Sequence, residues 1–291
     1  MELFNIYKFL KIARASDVFK LVEFFTRYNK NYVFILETLG EKKKKNDKYY
    51  FDKIIGKRTL KFLNQKKDSG DINQKHNYKA DFIFKHLPET SHDPESPHIK
   101  KILDFGCGDC TLGPAFSKLF KSSKCWGCDV QEWSEFSDNN RKRSSLCEFT
   151  PISENQKLPY EDNFFHFIIV SHVLHHIKNR DFVLRELHRI LSKDGFLVVL
   201  EHDSVDNLDK YIIEAHHVLY MYISNPSFFS DNEQQKIQYF SDYLSIKQLR
   251  YITQKIGFDT VSCVFESKSA DKLDIKILRQ YLIFLKKQFN N

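Results

Sequence analysis

From Ile99 to Glu201 short apolar runs alternate with segments of helical period. KILDF (101–105), KCWGCDV (124–130), LCEFTP (146–151), FFHFIIVS (164–171) and GFLVVLE (195–201) read as strands, with helices expected from Thr111 and over RDFVLRELHRIL (180–191). Most of these runs are apolar throughout, which suits strands covered on both faces, and alternation of strand with helix builds a parallel sheet. Further on, SIKQLRYITQKIG (245–257) reads as a helix ended by Gly257, FDTVSCVFE (258–266) as a strand and LRQYLIFLKK (278–287) as the last strand. The expected fold class is α/β.

The part before this pattern has a different character. Leu3, Ile6, Tyr7 and Leu10, then Val18, Leu21, Val22 and Phe25, recur at helical spacing, and further helices are expected over 49–63 and over YKADFIFKHL (78–87). PETSHDPESPH (88–98) holds three prolines in eleven residues and reads as a linker. The expected organisation is a basic helical extension with its linker over 1–98, then a domain over 99–291 carrying a helical insert at about 204–245. The net charge of +7 falls wholly in the first part, where residues 1–98 carry 20 basic against 13 acidic side chains. Within it, residues 41–79 carry 13 against 5, which suits contact with a polyanion such as RNA and equally a solvated lysine-rich linker. No run approaches the roughly 18 apolar residues of a membrane span, and Lys8, Lys11 and Arg14 interrupt what would be a signal-peptide core. A cytoplasmic protein with six reduced cysteines is expected.

Residues 100–130 hold two Cys-x-x-Cys pairs, Cys107/Cys110 and Cys125/Cys128, so a zinc site and a nucleotide-binding turn both come into question. The context favours the turn. Asp104-Phe105-Gly106-Cys107-Gly108 follows a strand and opens a helix, where glycines let the backbone turn tightly beside a cofactor. Asp129, 21 residues after Gly108, ends the next strand, where a carboxylate accepts hydrogen bonds from ribose hydroxyls. Zinc ribbons place their cysteines on knuckle-like turns, whereas Cys125 and Cys128 lie along a strand, so no metal is expected. A nicotinamide-dependent dehydrogenase would use the same turn and carboxylate, but its usual third glycine is absent.

ILDFGCGDC, WGCDV, KLPYEDNFFHFIIVSHVLHHI and LRELHRILSKDGFLVVLEHD, in that order, resemble successive motifs of the class I S-adenosylmethionine-dependent methyltransferases, particularly the type 11 branch, over roughly residues 99–265. The resemblance implies a Rossmann-like sheet, mostly parallel with an antiparallel last strand, and S-adenosylmethionine as cofactor. It implies that Asp104, Gly106, Cys107 and Gly108 hold the amino-acid part of the cofactor and that Asp129, with Val130 beside it, binds the ribose. Glu154, ahead of Leu158-Pro159-Tyr160, is the nearest residue for the adenine amine, and Ser171 and His172 would close over the methionine portion. The chain departs from the family at Cys110, where a third glycine is common, and at His166, where an Asp is usual.

The sulfonium of that cofactor is already activated, so the protein has mainly to align an acceptor and exclude water, with a general base where the acceptor must lose a proton. The polar residues that follow the fourth and fifth strands supply the candidates: His175, His202 and Asp203, with His176 and Glu201 alongside. Aromatic residues of the insert would select the acceptor. The elements that resemble those of DNA amino-methyltransferases, cytosine C5 enzymes and cap ribose methyltransferases are absent after the fourth strand. Two function classes follow: a methyltransferase acting on an unidentified acceptor, small molecule or RNA, and a catalytically inactive RNA-binding or scaffold protein on the same fold.

Overall fold

The computed structural model describes residues 72–88, 99–120, 123–130, 144–205, 213, 241–266 and 280–288. The chain groups into two units, residues 1–69 with 206–240 and residues 70–205 with 241–291, and the described residues other than Ile213 belong to the second. The basic stretch up to residue 71, most of the proline-rich linker and nearly all of the expected insert lie outside the described residues.

In chain order the elements are α1 (Ile72–Lys85), β1 (Lys101–Phe105), α2 (Leu112–Leu119), β2 (Lys124–Val130), β3 (Glu148–Ile152), β4 (Phe165–Ser171), a 3₁₀ turn (Leu174–His176), α3 (Arg180–Ile190), β5 (Leu191–His202), α4 (Ile246–Ile256), β6 (Phe258–Glu266) and β7 (Gln280–Lys287). The seven strands form one sheet in the order β3-β2-β1-β4-β5-β7-β6. Strands β1 to β5 pair in parallel. β7 runs against both of its neighbours, β5 and β6. The sheet is therefore mostly parallel with an antiparallel last strand, as expected.

The alternation of side chains along each strand explains the uninterrupted apolar runs. In β1, β4 and β5, Leu103, Phe105, Ile168, Val170, Leu197 and Val199 enter one core with Leu184 and Leu187 of α3 and Leu249 of α4. Ile102, Phe167, Ile169, Phe196, Val198 and Leu200 enter the other, with Ala80 and Ile83 of α1 and Phe116 of α2. Both faces are dry, so no position is left for a polar residue until the strand ends. Each fully buried Phe, Leu or Ile contributes about 1.5–3 kcal/mol, and Phe167 adds tilted ring contacts with Phe116 and Phe120 at 5.4 Å.

Helix α1 begins at Ile72, six residues before the expected Tyr78, and carries Ala80 and Ile83 into the second core, where Leu87, just past its end, joins them. Its first turns, INQKHN, lack the apolar period that marks a helix in sequence, so the start was not legible there. Helix α4 follows its sequence signals closely. Ser245 and Gln248 form a reciprocal capping box, and Gly257 ends the helix at φ 107°, a left-handed conformation that glycine adopts without penalty.

Because β1, β2, β4 and β5 are parallel, their carboxyl ends, Phe105, Val130, Ser171 and His202, lie along one edge of the sheet. The order reverses between β1 and β4, which is where open parallel sheets bind ligands.

Candidate active site

The β1–β2 half of this edge is built from backbone. Gly106 turns the chain out of β1 at φ 71°, and a Cβ there would stand 2.4 Å from Val173 Cγ2, so the segment after β4 closes directly over the turn. Gly106 N–H and Cys107 N–H both donate to Cys128 O, at 2.8 and 3.1 Å, tying the turn to β2. Gly108 N–H donates to Asp129 Oδ2 at 2.7 Å, and Val130 N–H donates to Asp129 Oδ1 at 2.7 Å. These two bonds fix the Asp129 carboxylate at the end of β2, beside the glycine turn. Asp104 sits behind the turn, where its Oδ2 accepts Gly113 N–H at 3.0 Å in the first turn of α2. Burial is the main cause that pushes its carboxyl up to about 7, against the opposing hydrogen bond from Gly113.

The cysteines divide differently from their sequence pairs. Cys107, Cys110, Cys125 and Cys147 form one buried cluster, and Cys128 packs in the core on the α3 side instead. The sulfurs of Cys107 and Cys110 are 3.1 Å apart and those of Cys125 and Cys147 are 3.2 Å apart. Four sulfurs around zinc at 2.3 Å would stand about 3.8 Å apart. All six cysteines are free thiols, and among the described residues no group of three or more His, Cys, Asp or Glu is arranged to hold a metal ion. Within the cluster hydrogen bonding to neighbouring sulfurs, and after it burial, pushes the Cys107 and Cys147 thiols well up, so they stay protonated.

The β4–β5 half is built from side chains. His175, in the 3₁₀ turn, points Nδ1 at Glu201 near the end of β5, at 2.7 Å from Oε2 and 3.0 Å from Oε1. Both are fully inside, with side chains 1% and 4% exposed. Burial pushes Glu201 up to about 7 and holds His175 well below the ordinary imidazole range. The neutral ring therefore donates from Nδ1 to the carboxylate, which makes Nε2 its accepting nitrogen. Tyr243 stacks on the His175 ring at 5.1 Å, and His202 lies 5.6 Å from it and 4.9 Å from His172.

A clamp holds this arrangement. Arg180, in the first turn of α3, donates from Nε to Leu174 O at 2.8 Å and through both Nη atoms to Asp242 Oδ2 at 3.0 Å. Asp242 also accepts from Arg180 at its carbonyl and donates its N–H to His175 O at 2.8 Å. The 3₁₀ turn and the Asp242–Tyr243 segment are thereby fixed together. A second arginine does the same for the Leu158-Pro159-Tyr160 element: Arg189 donates to Leu158 O and Tyr160 O, and Glu186 accepts Leu158 N–H at 2.8 Å.

The structure thus brings Gly106, Cys107, Gly108, Asp129 and Val130 together at one end of the edge. Ser171, His172, His175 and His202 gather at the other. His172 has a positive φ of 57° and donates its N–H to Leu200 O, which joins β4 to β5 at the edge. Asp203 Oδ1 accepts Ile246 N–H at 2.9 Å and so caps α4. Asp104 is held beneath the turn, and Glu154 is exposed two residues beyond β3. Two pairings were not read from sequence. Glu201 was grouped with its neighbours but not paired with His175, and Lys79 of α1, which donates to Ser171 Oγ at 3.1 Å, lay beyond the expected domain boundary. Neither pairing has a sequence signal, since the partners stand 26 and 92 residues apart.

Residues 103–199 match the family described as methyltransferase domain. The chain is 28% identical over 127 residues to the ubiquinone/menaquinone biosynthesis C-methyltransferase UbiE of Neisseria gonorrhoeae, covering 42% of this chain and 50% of that protein. It is 30% identical over 115 residues to the protein of the same name from Neisseria meningitidis, covering 37% of this chain and 46% of that one. The chain therefore spans about half the length of the curated relatives it matches. A solved S-adenosylmethionine-dependent methyltransferase from Methanosarcina mazei aligns at 15% identity with a TM-score of 0.47, covering 70% of this chain and 99% of that one. The matched segment runs from β1 into β5, so the part of the chain similar to methyltransferase domains is the part that carries the glycine turn and Asp129.

Proposed function

We propose that the protein transfers a methyl group from S-adenosylmethionine to an acceptor presented at the carboxyl ends of β4 and β5. The observation that carries this reading is the Asp129 carboxylate, fixed by Gly108 N–H and Val130 N–H at the mouth of the glycine turn, the position where a carboxylate receives ribose hydroxyls in such sheets. The turn residues fit the cofactor, because Gly106 and Gly108 keep the backbone bare where its amino-acid part would approach. When bound, the cofactor supplies an electrophilic methyl on a sulfonium. The chain itself has to orient the acceptor, take a proton where one is lost, and keep water away.

His175 is the base in this reading. Glu201 accepts from Nδ1 and so fixes the tautomer in which Nε2 takes the proton, the arrangement that orients histidines in other general-base dyads. Tyr243 and the Arg180 clamp prevent the ring from turning away. His202 lines the same edge, and Asp203 supports it by capping α4. A base at this position suits an acceptor whose nucleophilic atom becomes reactive on losing a proton, such as a hydroxyl or the ring carbon of a phenol. The relatives named as C-methyltransferases of quinone biosynthesis support that class. Contact with RNA through residues 41–79 is a further part of the proposal, supported by their 13 basic against 5 acidic side chains; affinity independent of salt would discard it. The six free thiols support a cytoplasmic setting.

Calorimetric titration with S-adenosylhomocysteine, comparing wild type with Asp129→Ala, tests the reading. Micromolar binding weakened about 10- to 100-fold by the substitution is expected, the usual scale for losing hydrogen bonds to a charged group. Folded wild-type protein that does not bind at all would remove the cofactor and return the inactive scaffold.

A further inference from the structure

Helix α1 stands before β1 in the chain and outside the segment that matches the methyltransferase family, which begins at residue 103. It is nevertheless part of the same core through Ala80 and Ile83. Lys79, next to Ala80, is half-buried and extends to Ser171 Oγ at 3.1 Å, where β4 ends. A lysine can lay its methylene stem along apolar surface and deliver its ammonium to a polar spot, and here the spot is the crevice edge. In the β1–β4 register Phe105 pairs with Val170, so Ser171 stands level with Gly106. Val173 then crosses over the Gly106 turn. The ammonium of Lys79 is therefore at the carboxyl ends of β1 and β4, beside the turn, and its charge acts on Asp104 below it.

We propose that Lys79 binds the α-carboxylate of the cofactor's amino-acid portion, with Ser171 holding the ammonium in place. This rests on the reading that the glycine turn holds S-adenosylmethionine. A carboxylate entering this part of the crevice approaches two acidic residues, Asp104 and Asp129, and needs an opposing charge on the same side. Lys79 supplies it from a rigid helix whose register is set by buried Ala80 and Ile83. A charge-assisted bond to the ammonium also gives the domain a reason to keep α1 as part of the cofactor site as well as of the core. Glycine turn and ribose carboxylate then fix the nucleoside end, and Lys79 fixes the other.

Two ligands that differ at that group distinguish this role from a structural one. S-adenosylhomocysteine carries the amino-acid portion and 5′-methylthioadenosine lacks it. Calorimetry on the full chain should show Lys79→Met weakening S-adenosylhomocysteine about 10- to 100-fold while 5′-methylthioadenosine changes less than about twofold, and Lys79→Arg should restore most of the loss. Equal weakening of both ligands would show that Lys79 serves only to seat α1, and unchanged S-adenosylhomocysteine binding would show no contact; either overturns the proposal. Wild type binding neither ligand overturns the cofactor reading and this one with it. Wild type that binds both with an intact Asp129 effect, and a Lys79→Met variant without the ligand difference, would sink the lysine alone. Equal melting temperatures of the unliganded variants confirm that the comparison is between folded proteins.

Discussion

The two halves of the strand edge are made from different materials. At β1–β2 the working parts are backbone N–H groups and bare glycines, assembled within 27 residues from Asp104 to Val130 and joined by Gly108 N–H to Asp129. At β4–β5 the parts are side chains brought from far apart: Glu201 to His175, Asp242 to Arg180 across 62 residues, and Lys79 to Ser171 across 92. A backbone site depends on a few positions with no tolerance for a side chain, and a side-chain site depends on long-range packing and on protonation. The first should fail by steric strain and the second by chemistry.

The largest effect should come from filling the turn. Gly106→Ala places a Cβ 2.4 Å from Val173 Cγ2 on a residue whose φ is 71°. Backbone strain and overpacking together should destabilise the fold by about 2–4 kcal/mol and reduce S-adenosylhomocysteine affinity more than about 100-fold. Adding Val173→Ala removes the colliding methyls but not the left-handed backbone, so chemical denaturation should show recovery of part of the loss, with about 1–2 kcal/mol remaining. Full recovery would show that the clash alone mattered, and no loss in the single variant would show that the turn is not rigid.

Next in size is the histidine half. Glu201→Gln keeps the shape of the side chain but removes the anion that fixes the His175 tautomer. Methyl transfer to the acceptor found in a substrate screen should fall about 100-fold or more, with S-adenosylhomocysteine affinity within about twofold. The pH profile separates a base from a packing role. Burial raises Glu201 to about 7, so the active ionised form increases as pH rises through that value, and wild-type kcat should climb there. The variant should lose that limb. A variant that keeps the limb assigns it to another group and reduces the His175–Glu201 pair to packing.

The same contrast decides what could be read in advance. The glycine turn, Asp129 and the succession of strands along the chain up to β5 came from local pattern, because glycine spacing and apolar runs are direct consequences of backbone geometry and two-sided burial. The grouping of the cysteines could not be read from their spacing: Cys128 enters the opposite core from Cys125 and Cys147 joins instead, a result of strand alternation and of tertiary packing. His175 and His202 were found because polar residues ending apolar strands must face an edge. Glu201 was named on the same ground, but its pairing with His175 was not, nor were Arg180 and Tyr243, since these roles arise only when β4, β5, α3 and residues 242–243 meet. Lys79 was missed for a further reason. It stands at the start of the expected helix over 78–87 and at the end of the basic stretch 41–79, and neither setting points to Ser171.

A remaining test concerns the buried acid on the backbone side. Asp104 is raised from 3.8 to about 7, chiefly by burial, so in that window the folded protein holds a proton that the unfolded chain has lost. Stability from this group is therefore greatest below pH 4 and declines as pH rises to about 7, by up to about 1.4 kcal/mol per pH unit. In wild type the decline is obscured. Glu201, raised in the same sense, adds to it, whereas His175 and His188, both lowered, bind their protons less well in the folded state and oppose it below 6.5. Comparison with Asp104→Asn cancels the shared groups. Asn keeps an oxygen for Gly113 N–H and carries no charge, so the stability difference between variant and wild type should shift toward the variant with increasing pH between about 4 and 7 and then level off. Urea denaturation at pH 4.5, 5.5, 6.5 and 7.5 measures it. A flat difference would mean that Asp104 stays ionised when folded, and the glycine turn would then sit above a fixed negative charge, which strengthens the need for a cation such as Lys79 on the side where an anionic group enters.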